Sequence, residues 1–292
     1  MTRGFLVIDK PGGMTSTAVV TRVKGATGAK KVGHAGTLDP MATGMLVVAL
    51  GRATRLIRYI QEQPKEYIAT AMFGVATDTL DSDGAVISRE PMSFSLGELR
   101  EVAERFVGTT HQVPPMVSAL KHQGRRLYEL ARQGEVIERE ARPVEIHELE
   151  ISAVGTEPYP EVRFRVVCGK GTYVRSLADD LAGALGGAAH LTELRRIRTG
   201  RLAIDRDGIS FQSLDHWRER IIDPAKALDD LPAVTVGAET RRGVCNGMPF
   251  VGGEMVGMPE DSAVRVLDAE GVLLAVYRRR GDQARPEVVI GP

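Results

Sequence analysis

Two patterns of apolar residues recur along the chain and predict its first structural elements. Residues 45–50 are all apolar, which predicts a buried element. Residues 67–73 and 161–168 alternate with a period of two, which is typical of strands with one buried face. Residues 1–9 contain a short apolar stretch that ends at an acid, and we interpret them as the first strand.

Helical spacing, with apolar residues three and four positions apart, occurs in residues 96–107, 127–133 and 173–185. Asp83-Gly84 indicates a tight turn between two short extended runs. Strands and helices are therefore mixed without strict strand–helix–strand alternation. We expect an α+β domain on a mixed, largely antiparallel sheet.

The pattern changes near residues 229–232, where two aspartates precede a leucine and a proline. Beyond this point, short apolar runs alternate with glycine-rich turns at residues 233–236, 263–267, 272–277 and 288–290. About 60 residues of this kind predict a small closed β-barrel. We therefore divide the chain into residues 1–230 and residues 233–292.

Composition limits the class of protein. Hydrophobic residues make up 43% of the 292 residues and charged residues 26%, as in a globular protein with a proper core. No apolar run approaches the ~18 residues that a membrane helix needs, and the N-terminus lacks the features of a signal peptide. The two cysteines lie far apart, and the six histidines lack metal-binding spacing. We expect a cytoplasmic protein without a disulfide, a metal site or a membrane segment.

The formal net charge is zero, but the charge is unevenly distributed. Residues 1–60 contain nine basic and two acidic residues, a local charge of +7, whereas residues 61–113 contain four basic and nine acidic residues. A basic segment around an acid is suited to a phosphate-rich partner. The alternative is that these charged residues only lie on solvent-exposed helix faces.

Residues 33–44 carry the most informative chemistry. They contain one acid, Asp39, together with three glycines and a proline directly after the acid. Glycines let the backbone turn sharply near a ligand, and the Asp-Pro step fixes a turn. A lone carboxylate held in this way is suited to act as a nucleophile or a general base. The alternative is an aspartate that only begins a turn or caps a helix.

Several blocks of the sequence, in the same order, resemble motifs of the bacterial tRNA pseudouridine synthase B family. The central block reads Gly-His-Ala-Gly-Thr-Leu-Asp-Pro-Met-Ala-Thr-Gly and includes Asp39. The blocks lie at residues 9–16, 33–46, 65–67, 78–84, 114–121, 169–181 and 187–196. Together they cover most of the first 200 or so residues, and a match of several blocks in order is more specific than any one motif.

The resemblance implies a catalytic domain over residues 1–230, with an RNA-gripping loop region at 116–140, and a PUA-like RNA-binding domain over residues 233–292. It also implies an activity, the isomerisation of a uridine in the T-arm loop of tRNA (U55) to pseudouridine. The N1–C1′ bond breaks, the base turns and C5 joins C1′, after the uridine has been flipped out of its stack at a cost of a few kcal/mol. The sequence leaves open whether a carboxylate attacks C1′, attacks C6 or removes the 2′ proton.

The resemblance assigns catalytic roles to Asp39, Tyr67 and Arg175. Asp39 matches the essential carboxylate, and Arg175 matches the arginine that pairs with it. A neighbouring guanidinium lowers the pKa of an aspartate and keeps it ionised. Tyr67 matches an active-site tyrosine, which is suited to stack on the flipped base or to move a proton near C5. The structural alternatives are a helix-decorating arginine and a half-buried core tyrosine.

Contacts with the substrate or with RNA are expected from a further set of residues, namely His34, Lys10, Leu194, Lys121, Arg125, Arg126, Arg195 and Arg196. The family's histidine inserts where the target base was stacked, its lysine contacts a phosphate or positions a loop, and its leucine lies under the uracil. The remaining basic residues form two clusters suited to phosphates. The alternatives are a local hydrogen bond for His34, an ordinary exposed lysine, a core leucine and an amphipathic helix–loop at 116–140.

The expected partner is tRNA, and no cofactor or metal is expected because the reaction involves no net redox change and no phosphate energy. Residues 169–172 lack the upstream glycine of a phosphate-binding loop. No protein partner is expected to be required, and a monomer is the default. One alternative is a tRNA-binding or tRNA-folding protein in which catalysis is secondary, and another is a related enzyme that a guide directs to other RNA.

Overall fold

The computed structural model describes residues 3–118, 120–122, 124–127, 130, 133, 135, 137–251 and 256–291. The strands are β1 (Gly4–Lys10), β2 (Val32–His34), β3 (Thr43–Leu50), β4 (Lys65–Phe73), β5 (Val75–Thr77), β6 (Val86–Arg89), β7 (Gly108–Gln112), β8 (Lys121–His122), β9 (Arg125–Arg126), β10 (Arg142–Val154), β11 (Glu161–Cys168), β12 (Ala189–Thr199), β13 (Leu202–Ala203), β14 (Gly208–Ser210), β15 (Ala233–Thr235), β16 (Phe250–Val251), β17 (Ala263–Leu267), β18 (Leu273–Arg280) and β19 (Gln283–Val289). The helices are α1 (Ser16–Thr27), α2 (Ile57–Glu62), α3 (Leu96–Glu104), α4 (Val174–Ala184), α5 (Ile204–Asp207), α6 (Pro224–Ala227) and α7 (Ala238–Cys245), with 3₁₀ segments at Gly51–Leu56 and Phe211–Arg220.

Within the described residues, ten strands form the main sheet. Eight of them follow the order β14-β1-β3-β12-β4-β11-β10-β7, while β2 pairs with β3 and β13 pairs with β12. The β1–β14 and β3–β12 pairs are parallel, and the other pairs are antiparallel. The prediction of a mixed, largely antiparallel sheet is therefore confirmed.

Strands β1 and β3 are buried on both faces, which explains the continuous apolar run at residues 45–50. Leu46 and Val48 point into one core, which also contains Val19 and Val23 of α1. Met45 and Val47 point into a second core, which includes side chains from the C-terminal strands β17, β18 and β19. The central strands of the main sheet therefore lie between two hydrophobic layers.

The helices predicted from apolar spacing are present where the structure describes them. Helix α3 begins at a capping box in which Ser95 and Glu98 bond each other's backbone N–H groups, and it ends three residues before the predicted end. Helix α4 lies within the predicted residues 173–185. Of the third predicted helix, Leu127 and Leu130 are helical, and several of its other residues lie outside the described ranges. No helix of the described residues is both long enough and apolar enough to cross a membrane.

Strand β12 contains two β-bulges, between Leu191 and Glu193 and between Arg196 and Arg198, where its register against β4 shifts. The bulges break the strict two-residue period, so the sequence pattern did not predict this strand. They flank a regular stretch in which Leu194 and Arg196 are both buried. The bulged strand thereby directs both side chains to one face, next to Tyr67 of β4.

The C-terminal strands form a five-stranded sheet in the order β15-β17-β18-β19-β16. The strands predicted at residues 233–236, 263–267 and 272–277 are present. Helix α7 was not predicted. No ladder joins β15 to β16 among the described residues, so this sheet is open and the predicted closure into a barrel is not observed.

Arginines of the segment before β4 attach the C-terminal sheet to the main sheet. Arg52 donates to the carbonyl of Ile290 at 2.9 Å, and Arg55 donates to the carbonyl of Val289 at 2.5 Å. Arg58 pairs with Glu287 at 2.9 Å. At least these three of the nine basic residues behind the local charge of +7 therefore contact protein, and the phosphate-rich partner expected for this segment stays a prediction.

Gly44 allows β3 and β12 to approach each other. Its φ is +95°, and a Cβ at this position would overlap the carbonyl oxygen of Arg196. We expect Gly44→Ala to lower the free energy of unfolding by about 2–5 kcal/mol, because backbone strain and overpacking add. Urea unfolding measures this loss.

Gly13 provides the matched control. Its φ is +74°, but a Cβ there would meet nothing within 4 Å. Gly13→Ala should therefore cost only the backbone strain of about 1–2 kcal/mol. Equal losses for the two variants would contradict the close-approach argument.

Candidate active site

A cavity of about 310 Å³ opens beside β4, β12 and the start of α4. Its volume lies at the lower end of the range of small-ligand pockets. The side chains used below that line it are Asp39, Lys65, Tyr67, Tyr173, Arg175, Leu194 and Arg196. The three residues predicted to be catalytic, Asp39, Tyr67 and Arg175, thus surround one cavity.

Asp39 lies in the loop between β2 and β3, and buried polar side chains hold this loop by its backbone. The Ser16 hydroxyl donates to the Leu38 carbonyl at 3.0 Å and accepts from the Leu38 N–H at 2.9 Å. The Lys10 ammonium donates to the Pro40 carbonyl at 3.1 Å. The backbone on both sides of Asp39 is therefore fixed before any ligand binds.

The Asp39 carboxylate forms an ion pair with Arg175. Oδ2 of Asp39 lies 2.9 Å from Nε of Arg175, whose side chain is 2% exposed, whereas Asp39 keeps 33% of its side chain accessible. The guanidinium also donates to the carbonyls of Thr79 at 2.7 Å and Val117 at 2.8 Å. A fixed cation thus presents an accessible carboxylate to the cavity.

A second carboxylate, Asp81, pairs with the same guanidinium. Its Oδ2 lies 3.3 Å from Nη1 of Arg175, and its side chain is 6% exposed. The preceding residue, Leu80, has a φ of +61°, an uncommon conformation for leucine, and the Leu191 N–H donates to its carbonyl. Asp39 is the one acid of its own loop, and the strained turn after β5 brings a second carboxylate to Arg175.

The pKa of Asp39 is raised above its usual value. Burial is the main cause, Arg175 opposes it, and the negative charge of Asp81 adds to the rise. The expected lowering by the guanidinium is present, but the net pKa of Asp39 still lies above its usual value. Arg175 does lower the pKa of Asp39, but desolvation outweighs its charge.

Gln112 of β7 positions the start of α4, which carries Arg175. Its side-chain oxygen accepts from the Tyr173 N–H at 2.7 Å, and its side-chain nitrogen donates to the Tyr173 carbonyl at 3.1 Å. Tyr173 is the N-cap of α4 and lacks a side-chain cap of its own. The buried amide of Gln112 therefore fixes the turn from which Arg175 projects.

Tyr67 and Leu194 form the wall of the cavity opposite α4. They lie on the neighbouring strands β4 and β12, and Leu194 is 7% exposed. Burial raises the pKa of Tyr67, and the nearby guanidinium of Arg196 opposes this rise. The phenol therefore stays protonated at neutral pH and is available as a hydrogen-bond donor.

Two lysines are buried, namely Lys10, which the motifs predicted as a site residue, and Lys65, which they did not. Lys10 donates to three carbonyls, including those of Pro11 and Met14, which favours the loop-positioning alternative over a phosphate contact. Lys65 lines the cavity and donates to the Gln61 and Gln63 carbonyls. Burial lowers the pKa of each lysine to about 8.

The residues predicted to contact RNA lie in different environments in the structure. Arg195 makes two hydrogen bonds to Asp9, at 2.8 and 3.0 Å, and stays 41% exposed. Arg196 is 2% exposed, and this burial corrects its assignment to a phosphate-binding cluster. His34 lies on β2, outside the cavity wall, and burial lowers its pKa.

The predicted RNA-gripping region at 116–140 is described only in part. Arg125 is exposed and pairs with Glu135 at 3.4 Å. The backbones of Lys121 and Arg126 pair across the β8–β9 hairpin, and their side chains lie outside the described set. The prediction for this region therefore rests on the sequence.

Asp81, Gln112 and Ser16 are the candidate site residues that the sequence analysis missed. Asp81 and Ser16 each lie in a block that resembles the family, so attention to the polar residues of those blocks would have found them. Gln112 lies outside every such block and in a strand that was not predicted. No signal in the sequence indicated its contact with Tyr173, which is 61 residues away.

We expect the carboxyl carbon of Asp39 to titrate with a midpoint above about 3.9, the usual value for aspartate. In Asp81→Asn the midpoint should move to lower pH, because a negative neighbour that disfavours ionisation is removed. Carbon-13 NMR of aspartate-labelled protein measures both midpoints. Asp83→Asn, an exposed change in the same turn, is the control, and an equal shift there would contradict the role of Asp81.

Known proteins resemble this chain over most of its length. A family model described as TruB family pseudouridylate synthase (N terminal domain) matches residues 24–174. The tRNA pseudouridine synthase B of Ralstonia nicotianae is 40% identical over 299 residues, which cover 98% of this chain and 94% of that protein. The tRNA pseudouridine synthase B of Geobacter sulfurreducens is 42% identical over 290 residues, covering 94% and 92%.

Solved structures show the same architecture. A Cbf5-Nop10-Gar1 complex matches with a TM-score of 0.77 and 26% identity, covering 99% of this chain and 85% of that chain. An H/ACA RNP bound to a substrate RNA containing 2′-deoxyuridine matches with a TM-score of 0.76 and 25% identity, with the same coverage. The family model covers more than half of the chain, and the relatives align over nearly all of it. This chain therefore belongs to the TruB family of pseudouridylate synthases.

Proposed function

We propose that this protein isomerises a uridine in the T-arm loop of tRNA, U55, to pseudouridine. The observation that carries the proposal is the Asp39–Arg175 pair, which presents a partly accessible carboxylate to a cavity of about 310 Å³. The identity of 40–42%, over nearly the full length, to proteins named tRNA pseudouridine synthase B supports tRNA as the substrate.

Four residues of the cavity have a task in this reaction. The Asp39 carboxylate begins cleavage of the N1–C1′ bond, and Arg175 holds it in place by the ion pair. The Tyr67 ring stacks on the flipped uracil, and Leu194 supports the base from the neighbouring strand. After the base turns, C5 joins C1′, the proton on C5 leaves and N1 gains a proton, so atoms and charge balance.

We propose that residues 1–230 form the catalytic domain and residues 233–292 a PUA-like RNA-binding domain. Arg125 and Arg195 keep exposed guanidinium groups, and we assign to them contacts with RNA phosphates. We assign the same task to Lys121 and Arg126 because of their place in the 116–140 region, and we place His34 against the RNA stack that the uridine leaves. Lys10 and Arg196 act from within the protein.

We infer that the protein acts as a monomer without a protein or guide-RNA partner, in the cytoplasm, where bacterial tRNA lies. The relatives named for tRNA are 40–42% identical, whereas the chains of the Cbf5 and H/ACA structures are 25–26% identical. The closer similarity therefore favours the enzyme that acts alone on tRNA. Purified protein with an unmodified transcript tests this point directly.

We expect Asp39→Asn to lower the rate of pseudouridine formation by roughly 10³-fold or more, because the amide lacks the carboxylate's nucleophilicity and basicity. The affinity for tRNA should stay within about threefold, since the side-chain volume is kept. The measurement is pseudouridine in an unmodified tRNA transcript, mapped to the nucleotide, together with tRNA binding of the same proteins.

Asp215→Asn, the same chemical change at an exposed position, is the control and should match the wild type. Product at the T-loop uridine from the wild type but not from Asp39→Asn supports the proposal. Binding without product from the wild type would favour a tRNA-binding or tRNA-folding protein instead. Product only after addition of a guide RNA would favour the guided enzyme.

A further inference from the structure

Arg196 is a buried cation without a carboxylate partner among the described residues. It is 2% exposed, and no ion pair involves it in the part of the chain that the structure describes. Burying a charge costs several kcal/mol unless hydrogen bonds replace its hydration. A residue kept at such a cost must satisfy its N–H groups within the protein.

The hydrogen bonds of Arg196 reach both ends of the loop that carries Asp39. Nε donates to the Met45 carbonyl at 2.7 Å, on β3 directly after the loop. Nη2 donates to the Gly36 carbonyl at 3.2 Å, and Nη1 lies 3.5 Å from the Thr37 carbonyl. One guanidinium therefore spans the loop from the residues before Asp39 to the strand that follows it.

The same guanidinium contacts Tyr67. Nη1 of Arg196 lies 3.5 Å from the Tyr67 hydroxyl, and the guanidinium carbon lies 5.9 Å from the centre of the phenol ring. The two residues are direct cross-strand partners between β12 and β4, so they share one face of the sheet. Arg196 is thus the side chain that links Tyr67 to the Asp39 loop.

The planar fork of arginine suits this arrangement. Its N–H groups point in several fixed directions, whereas a lysine ammonium is a compact point charge. The positive charge of Arg196 also opposes the rise in the pKa of Tyr67 that burial causes, and it adds to the lowering of the pKa of His34. Both effects follow from a cation fixed at the centre of the site.

We propose that Arg196 is a positioning residue for the isomerisation, which holds the Asp39 loop and the Tyr67 hydroxyl in one fixed arrangement around the base. This inference rests on the proposed function. Arg196 acts through its two neighbours, and the RNA is not its partner. Its loss should therefore slow the chemical step and leave tRNA affinity nearly unchanged.

The test measures the single-turnover rate at saturating enzyme and, separately, the dissociation constant for tRNA. We expect Arg196→Lys and Arg196→Met to lower the rate by about 10- to 100-fold, because small displacements of reacting groups have effects of this size. The dissociation constant should stay within about threefold of the wild type. Arg196→Lys keeps the charge and most of the volume, so it serves where Arg196→Met does not fold.

A double-mutant cycle with Tyr67→Phe tests the connection to the tyrosine. If Arg196 acts partly through the Tyr67 hydroxyl, the double variant should be at least about fivefold faster than the product of the single effects predicts. Leu99→Ala on α3 is the stability control, because Leu99 is a core residue that does not line the cavity. It should lower the melting temperature and keep the rate at temperatures where all the proteins are folded.

The outcomes separate this inference from the proposed function. Absence of product from the wild type would overturn the proposed function itself. Wild-type product with Arg196 variants within about twofold of its rate, or with a loss confined to tRNA affinity, would overturn the positioning role. Effects that multiply in the cycle would overturn the action through Tyr67.

Discussion

The burial of the Arg175 guanidinium is the constraint on which the site depends. A cation that is 2% exposed must be surrounded by acceptors, and three separate segments of the chain supply them. Asp39 and Asp81 contribute carboxylates, and Thr79 and Val117 contribute carbonyls. The fold therefore brings the loop after β2, the turn after β5 and the segment after β7 to the start of α4. These segments lie far apart in the sequence, and all of them contact the one guanidinium of Arg175.

The balance of charge in the site follows from this arrangement. Four buried cations, Lys10, Lys65, Arg175 and Arg196, lie in or beside the cavity together with two carboxylates, Asp39 and Asp81. Desolvation raises the pKa of Asp39, and the charges of Arg175 and Lys10 oppose that rise. The carboxylate is thus more basic than an ordinary aspartate and is still held by a partner that fixes its direction. Neither burial nor ion pairing alone would give both properties.

Part of the fold could be predicted from the sequence, because several of its strands and helices keep a regular period. Residues 161–168 alternate strictly, and the structure places β11 there. Strand β12 could not be predicted in this way, because its two bulges interrupt the alternation. Strand β10, which carries charged residues on its exposed positions, was not predicted either. The closure of the C-terminal strands into a barrel was expected from their number and spacing, whereas strand order depends on contacts that spacing does not encode.

The candidate site, like the fold, could be predicted only in part. The resemblance to family motifs led to Asp39, Tyr67 and Arg175, and the structure brings these three around one cavity. Their roles stay predictions. The sequence did not show that Arg196 is buried. A cluster of arginines predicts solvent-exposed side chains as long as the strand pairing is unknown. The contact of Gln112 with Tyr173 was also invisible, since it joins residues 61 positions apart through a side-chain amide and a backbone.

The loop around Asp39 is anchored by its backbone carbonyls and amides, and the anchors are side chains far away in sequence. Ser16, Lys10 and Arg196 lie 22, 30 and 160 residues from the loop positions that they bind. These bonds end on backbone atoms of the loop, while Gly36 with its φ of +112°, the buried Leu38 and Pro40 restrict which residues the loop itself can contain. A mutation at Ser16, Lys10 or Arg196 would therefore disturb the loop around Asp39 without changing any residue in it. Damaging positions in this protein thus need not lie near the candidate active site in the sequence.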